Sequence, residues 1–300
     1  MPCFHPLSGF KKVGGGWTPH FNKSIGSGAV MKIPCGQCIG CRLERSRQWA
    51  IRCVHEASLH SSNCFVTLTY NDANMPSGGS LNYRHFQLFM KRLRKRLGAD
   101  IRFYMCGEYG DNFGRPHYHA ILFNVDFPDK SIWRKTKSGY HQYRSKILEE
   151  LWPFGNSEIG TVTFDSAAYC ARYIMKKVTG DASSFHYCSI DPITGEVLSE
   201  RVPEFNNMSR RPGLAKGWFD AFHSTDVAPF DHVVVRGRAM KPPKYYDYCY
   251  ELLYPDEMVK VKAARVLAAR KAIDNSTPVR LAAREAVAVA NLARLSRPLT

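Results

Sequence analysis

IRFYMCGEYGDNFGRPHYHAILFNV, residues 101–125, decides the fold. Its two ends are rich in aromatic and β-branched residues, and the turn-prone YGDNFGRP (109–116) divides them. The stretch therefore reads as a hairpin of two strands, IRFYMCGE (101–108) and HYHAILFNV (117–125). Upstream, Phe86, Phe89, Met90, Leu93 and Leu97 recur at helical spacing over 83–97, and Gly98 is placed to end that helix. Another β-branched run, CFVTLTY (64–70), precedes it across the loop NDANMPSGGS. Downstream, the pattern predicts a helix at about 140–152 and a short strand at GTVTF (160–164). A helix over SAAYCARYIMKKVTG (166–180) follows, with Asp165 as a good N-cap and Gly180 able to close it. Strand, helix, strand, strand, helix, strand, with one more helix behind, predicts an α+β fold. Its expected core is an antiparallel sheet of split β-α-β topology, ferredoxin-like or RRM-like, with helices packed on one face.

Around this core (61–180) the chain changes character. Residues 1–60 form a Cys-rich lead-in ending in a helix over roughly 42–60, where Leu43, Ala50, Val54 and Ala57 recur. Residues 181–255 read as a loop-rich accessory region. Residues 256–300 are alanine-rich and basic, a helical tail of two helices broken near Asn275–Pro278. The chain carries 42 Lys and Arg against 26 Asp and Glu, a formal charge of +16, so a polyanion is the expected partner. No apolar run approaches the ~20 residues needed to span a bilayer, and MPCFHPLSGFKKVGGG lacks the apolar core of a secretory signal. These features predict a cytoplasmic nucleic-acid binder without a membrane partner. Arg84, Lys91, Arg92, Arg94, Lys95 and Arg96 cover the other faces of the 83–97 helix without balancing acids, either as a solvated face or for phosphate contacts.

On a strand, side chains alternate, so His117 and His119 point to one face on either side of Tyr118. Glu108, on the strand feeding the same hairpin, reaches that face if the strands pair in register. Two imidazoles and a carboxylate with open positions suit Mn²⁺, Mg²⁺ or Zn²⁺, with imidazole favouring Mn²⁺ over Mg²⁺. The plainer alternative is a pair of structural histidines. Tyr169 and Tyr173 are four apart on a predicted helix, with Lys176 returning to their stripe and Lys177 beside it. Amphipathic packing explains either tyrosine alone and explains the lysine poorly. Ten cysteines include Cys35, Cys38 and Cys41 at two-residue intervals, with Cys3 or His5 able to complete a set of four. Structural zinc, an iron–sulfur centre and free thiols remain open for this cluster. The scattered Cys53, Cys64, Cys106, Cys170, Cys188 and Cys249 read as reduced, buried residues.

FVTLTY, GRPHYHAILF and YCARYIMKK, in that order, resemble the three motifs of the His-hydrophobic-His endonucleases of rolling-circle replication. The chain is most similar to the replication-initiation proteins of microviruses, particularly the gokushovirus type. PCGQCIGCRLERSRQWAIR (34–52), SRRPGLAKGWF (209–219) and PPKYYDY (242–248) also look like that family. The resemblance implies His117 and His119 as metal ligands with Glu108 as the third, and Mg²⁺ or Mn²⁺ as the catalytic ion. It implies Tyr169 and Tyr173 as nucleophiles assisted by Lys176 or Lys177. Single-stranded origin DNA becomes the substrate, nicked through a 5′-phosphotyrosine link in a host bacterial cytoplasm. No GxxxxGK[ST] loop is present, so strand separation and synthesis would fall to a host helicase and polymerase. Tyr118 is larger than the family's usual aliphatic residue there. Two alternatives stay open: a transposase of the same superfamily, and a non-catalytic binder stacking bases on Phe65 and Tyr70.

Overall fold

The computed structural model describes residues 3–12, 17–19, 26–110, 113–136, 139–172, 177–178, 180, 182–191 and 193–294. In chain order these form β1 (Leu7–Lys12), β2 (Trp17–Pro19), β3 (Gly26–Ile33), α1 (Ile39–Ala57), β4 (Asn63–Tyr70), α2 (Tyr83–Leu97), β5 (Arg102–Tyr109) and β6 (Pro116–Phe123). There follow β7 (Ser131–Lys135), β8 (His141–Arg144), α3 (Lys146–Leu151), β9 (Gly155–Gly160), α4 (Phe164–Arg172), α5 (Ala182–Tyr187), β10 (Cys188–Ile190), β11 (Val197–Glu200) and β12 (Phe205–Met208). The last are α6 (Lys216–Phe222), β13 (Val233–Val235), β14 (Arg238–Met240), α7 (Lys244–Leu253), α8 (Pro255–Lys271) and α9 (Pro278–Arg294). The chain divides into two compact units, Met1–Arg45 with Glu251–Arg297, and Ser46–Tyr250.

The second unit is built on a seven-stranded antiparallel sheet in the order β12-β5-β6-β4-β9-β8-β7. The fold is α+β, as the sequence predicts, but helices cover both faces of the sheet rather than one. Val66, Leu68 and Tyr70 of β4 and Tyr118, Ala120 and Leu122 of β6 meet Phe86, Phe89 and Leu93 of α2 and Leu148 and Leu151 of α3. On the opposite face, Phe65, Tyr104, Cys106, Ile121 and Phe123 meet Ala50 and Cys53 of α1 and Ala167, Tyr169 and Cys170 of α4. A strand buried on both faces loses the apolar–polar alternation, and the unbroken AILF of β6 is that signature. Phe65 and Tyr70 are both buried under helices, so neither is available to stack on a base.

Three boundaries differ from the sequence reading. The last core strand is Gly155–Gly160, not 160–164. Gly155, at φ +155°, lets β9 come so close to β4 that a Cβ there would lie 2.4 Å from the Thr69 carbonyl oxygen. The β-branched Thr163 instead starts α4: its hydroxyl accepts from Ser166 N–H at 3.0 Å, and Ser166 Oγ accepts from Thr163 N–H at 2.8 Å. This reciprocal cap takes the place expected of Asp165, which is engaged by Arg236 at 2.9 Å. Finally, the expected helix at 140–152 is a strand, β8, followed by the short α3, whose first turn is capped by Ser145 accepting from Leu148 N–H at 3.1 Å.

α2 spans the residues predicted for it, with the Asn82 side chain accepting from Arg84 N–H and Gly98 following its last turn. Its basic face is partly structural: Arg92 donates to the Leu151 carbonyl and Arg94 to that of Ile101. In the first unit, β2-β1-β3 form an antiparallel sheet, and α8 and α9 are the two expected C-terminal helices, broken at Ile273–Ser276. Among the described residues no helix is long and apolar enough to cross a membrane.

Candidate active site

β5 and β6 pair so that Glu108 lies directly across from His117, and β4 pairs with β6 so that Thr67 faces His119. The three predicted ligands consequently share the sheet face covered by α1 and α4. Nε2 of His117 lies 2.7 Å from Glu108 Oε1, and Nε2 of His119 lies 3.1 Å from the same oxygen. Each ring is held by its other nitrogen. Nδ1–H of His117 donates to the Arg115 carbonyl at 3.0 Å, and Nδ1 of His119 shares a hydrogen bond with the Thr67 hydroxyl at 2.9 Å. Anchoring Nδ1 turns Nε2 of both rings towards one point, the usual arrangement behind metal-bound imidazoles.

Burial alone would raise the pKa of Glu108, but hydrogen bonds and charge from His117 and His119 outweigh it and hold the carboxyl at about 2. A carboxylate ionised at neutral pH and two oriented imidazoles, their donor atoms all within 4.8 Å of one another, could hold a divalent metal ion. His117, with 15% of its side chain exposed, is the solvent side of the group; Glu108 and His119 are buried.

α4 brings Tyr169 to this site. Its ring meets the edge of His119 at 5.2 Å between centroids, and Phe65 stacks on the same imidazole at 5.5 Å. Tyr169 is only 7% exposed, so packing is part of its work; packing does not explain why it is set against a candidate ligand. Cys170, the next residue, lies 3.5 Å from Cys106, sulfur to sulfur, and both are reduced. Tyr173 and Lys176 lie outside the described residues, and Lys177 is half-buried beyond the described end of α4. The basic surface of α2 belongs to the opposite face of the sheet and does not line this group. Thr67 escaped the sequence reading, and Phe65, considered there only as a platform for a base, packs on His119 instead. Their roles depend on strand register, which the sequence carries only as alternation.

Tyr118 points away from the histidines. Its hydroxyl accepts from Asn82 N–H at 2.8 Å and shares a hydrogen bond with Tyr70 at 3.1 Å, while burial pushes its pKa up to about 12. The larger residue between the histidines thus serves the α2 side of the sheet.

The predicted cysteine cluster also assembles. The sulfurs of Cys3, Cys35, Cys38 and Cys41 all lie within 4.8 Å of one another and could hold a metal ion. Cys3, not His5, is the fourth member: His5 pairs instead with Glu285 at 2.8 Å. The scattered cysteines are free, as expected, and all but the half-buried Cys188 are buried.

The family model for the replication-associated protein ORF2/G2P matches residues 63–178, from β4 past the end of α4. The replication-associated protein VP4 of Bdellovibrio phage phiMH2K is 32% identical over 273 residues, covering 88% of this chain and 81% of that protein. The chain belongs to the replication-associated proteins of the microviruses. Over 331 aligned positions it is 29% identical to the replication-associated protein ORF2 of Spiroplasma virus 4, covering 100% of this chain and 98% of the relative. Against the replication-associated protein ORF4 of Chlamydia phage 1 it is 35% identical over 153 residues, 48% of this chain and 38% of that one. No solved structure matches. The matched segment of the family model contains Glu108, His117, His119, Tyr169, Tyr173, Lys176 and Lys177.

Proposed function

We propose that this replication protein starts rolling-circle synthesis by nicking single-stranded origin DNA and holding the cut strand on a tyrosine. The observation that carries the reading is Tyr169 set edge-on against His119, beside a carboxylate and a second imidazole aimed at the same point. Mg²⁺ or Mn²⁺ bound by Glu108, His117 and His119 would supply the positive charge that draws electrons from a phosphodiester's non-bridging oxygens. Glu108 and the two histidines bind and orient. Tyr169 supplies the oxygen: it forms the new bond to phosphorus, the bond to the 3′-oxygen breaks, and that oxygen leaves as a 3′-hydroxyl carrying a proton. A phenol of pKa near ~10 needs help to lose its proton at neutral pH, the part assigned to Lys176 or Lys177. Tyr173, four residues on in the sequence, is the second nucleophile, cutting the regenerated origin while the first strand is still held. The 3′-hydroxyl is a primer for a host polymerase in the bacterial cytoplasm, with a host helicase opening the duplex. The +16 charge suits the polyanionic substrate.

The test is covalent capture. Full-length protein, an origin oligonucleotide and Mn²⁺ should give a protein–DNA adduct that resists denaturant and is absent with chelator. Tyr169→Phe and Tyr173→Phe should each retain an adduct, and the double variant should form none. Cleavage by the double variant at the wild-type rate would end the proposal.

A further inference from the structure

Four cysteines meet in the first unit, three of them close in sequence and one from far upstream: Cys3 near the start, Cys35 and Cys38 after β3, and Cys41 in the first turn of α1. None is oxidised. The sulfurs of Cys3 and Cys35 are 3.6 Å apart and those of Cys3 and Cys38 are 3.8 Å apart, far beyond the ~2.05 Å of a disulfide. A single ion bound to four thiolates at about 2.3 Å, tetrahedrally, separates neighbouring sulfurs by about 3.8 Å. Both distances match that edge. A multinuclear iron–sulfur cluster has to fit its own atoms between the thiolates, which spreads them further than the edge of a one-ion tetrahedron.

The backbone agrees with the sulfurs. Cys35 N–H donates to Cys3 Sγ at 3.2 Å, Cys38 N–H to Cys35 Sγ at 3.2 Å, and Phe4 N–H to Cys38 Sγ at 3.4 Å. Neutral thiols are weak acceptors, so three amides aimed at sulfur suit thiolates. Thiolates held this close repel one another without a cation between them. We propose that Cys3, Cys35, Cys38 and Cys41 bind one Zn²⁺, the borderline-soft, redox-inert ion that suits four thiolates in a tetrahedron. All four positions are filled by the chain, which leaves none for substrate water, so the ion is structural. It closes the segment between Cys3 and Cys35, which contains the β2-β1-β3 sheet, onto the start of α1. Because binding free energy at such a site is folding free energy, the ion fastens this segment to the start of α1.

The experiment uses full-length protein purified without chelator, alongside a His117→Ala/His119→Ala variant that removes the imidazole ligands of the other candidate site. Elemental analysis should find about one zinc per chain in both, and X-ray absorption at the zinc edge should show four sulfur neighbours and no imidazole. Cys38→Ser should lose that zinc; should it fail to fold, the wild-type absorption spectrum decides alone. Absence of metal, iron in place of zinc, or zinc with nitrogen and oxygen ligands that disappears in the histidine variant would each overturn the proposal.

Discussion

Thr67→Val tests the organisation of the proposed metal centre without touching a ligand. Valine keeps the β-branched shape that suits β4, so the strand should be preserved. What is lost is the 2.9 Å hydrogen bond that fixes Nδ1 of the buried His119. A buried polar atom deprived of its partner costs about 1–3 kcal/mol, and losing the group that orients a metal-bound imidazole weakens metal affinity by roughly 10–100-fold. The two ranges agree, since about 1.4 kcal/mol is a factor of ten. Titration calorimetry with Mn²⁺, or the Mn²⁺ dependence of adduct formation, reads the shift directly. At saturating Mn²⁺ the variant should cut at close to the wild-type rate, because Thr67 holds the ring rather than the DNA. Thr67→Ser restores the oxygen and should recover most of the affinity. Wild-type Mn²⁺ affinity in Thr67→Val would refute the claim that this hydroxyl sets the ring for ligation.

Other substitutions separate fold from chemistry. Gly155→Ala places a Cβ 2.3 Å from Asn71 N and 2.4 Å from Thr69 O at a φ of +155°, and should cost about 3 kcal/mol or more in denaturant unfolding. Tyr118→Phe leaves Asn82 N–H without its 2.8 Å acceptor and should cost ~1–2 kcal/mol while Mn²⁺ affinity stays unchanged. With chelator present, Glu108 at about 2 lies below the 4.5 of an ordinary glutamic acid. Its ionised form therefore stabilises the folded chain fully above pH ~4.5 and loses that effect as pH falls through ~2. Unfolding of wild type and Glu108→Gln measured across that range should show a gap that closes towards acid.

Much of this was legible in the sequence because local signals and tertiary demands coincide. The stripe of α2 faces a core, the Asn82 cap and Gly98 end it, and alternation alone puts His117 and His119 on one face. Glu108 was reachable because the turn fixes the hairpin register. The errors have one physical origin: β-propensity describes a residue that fits a pleated, half-buried surface, not a particular role. Thr161, Val162 and Thr163 look like strand, yet Thr163 is a helix cap, while β9 uses the unpromising GNSEIG because its glycine permits close approach to β4. The strands β7 and β8 were hidden in a polar, aromatic stretch whose pairing is decided by β9.

Both faces of β6 are buried, and that makes the histidine pair chemically useful. A strand with one wet face would leave His117 and His119 in water, where free rotation and solvation weaken their hold on an ion. Here α1 and α4 close over that face, Phe65 and Tyr169 confine the His119 ring, and a carbonyl and a hydroxyl fix the outer nitrogens. The same closure explains the aromatic residue between them. Tyr118 has to fill space under α2 and end in a polar atom, because Asn82 N–H and the Tyr70 hydroxyl need a partner there. An aliphatic residue at 118 would leave that N–H to another acceptor, without moving either histidine. Even-numbered positions of β6 thus serve stability and the two histidine positions the proposed metal site, and effects from opposite faces should add with little coupling.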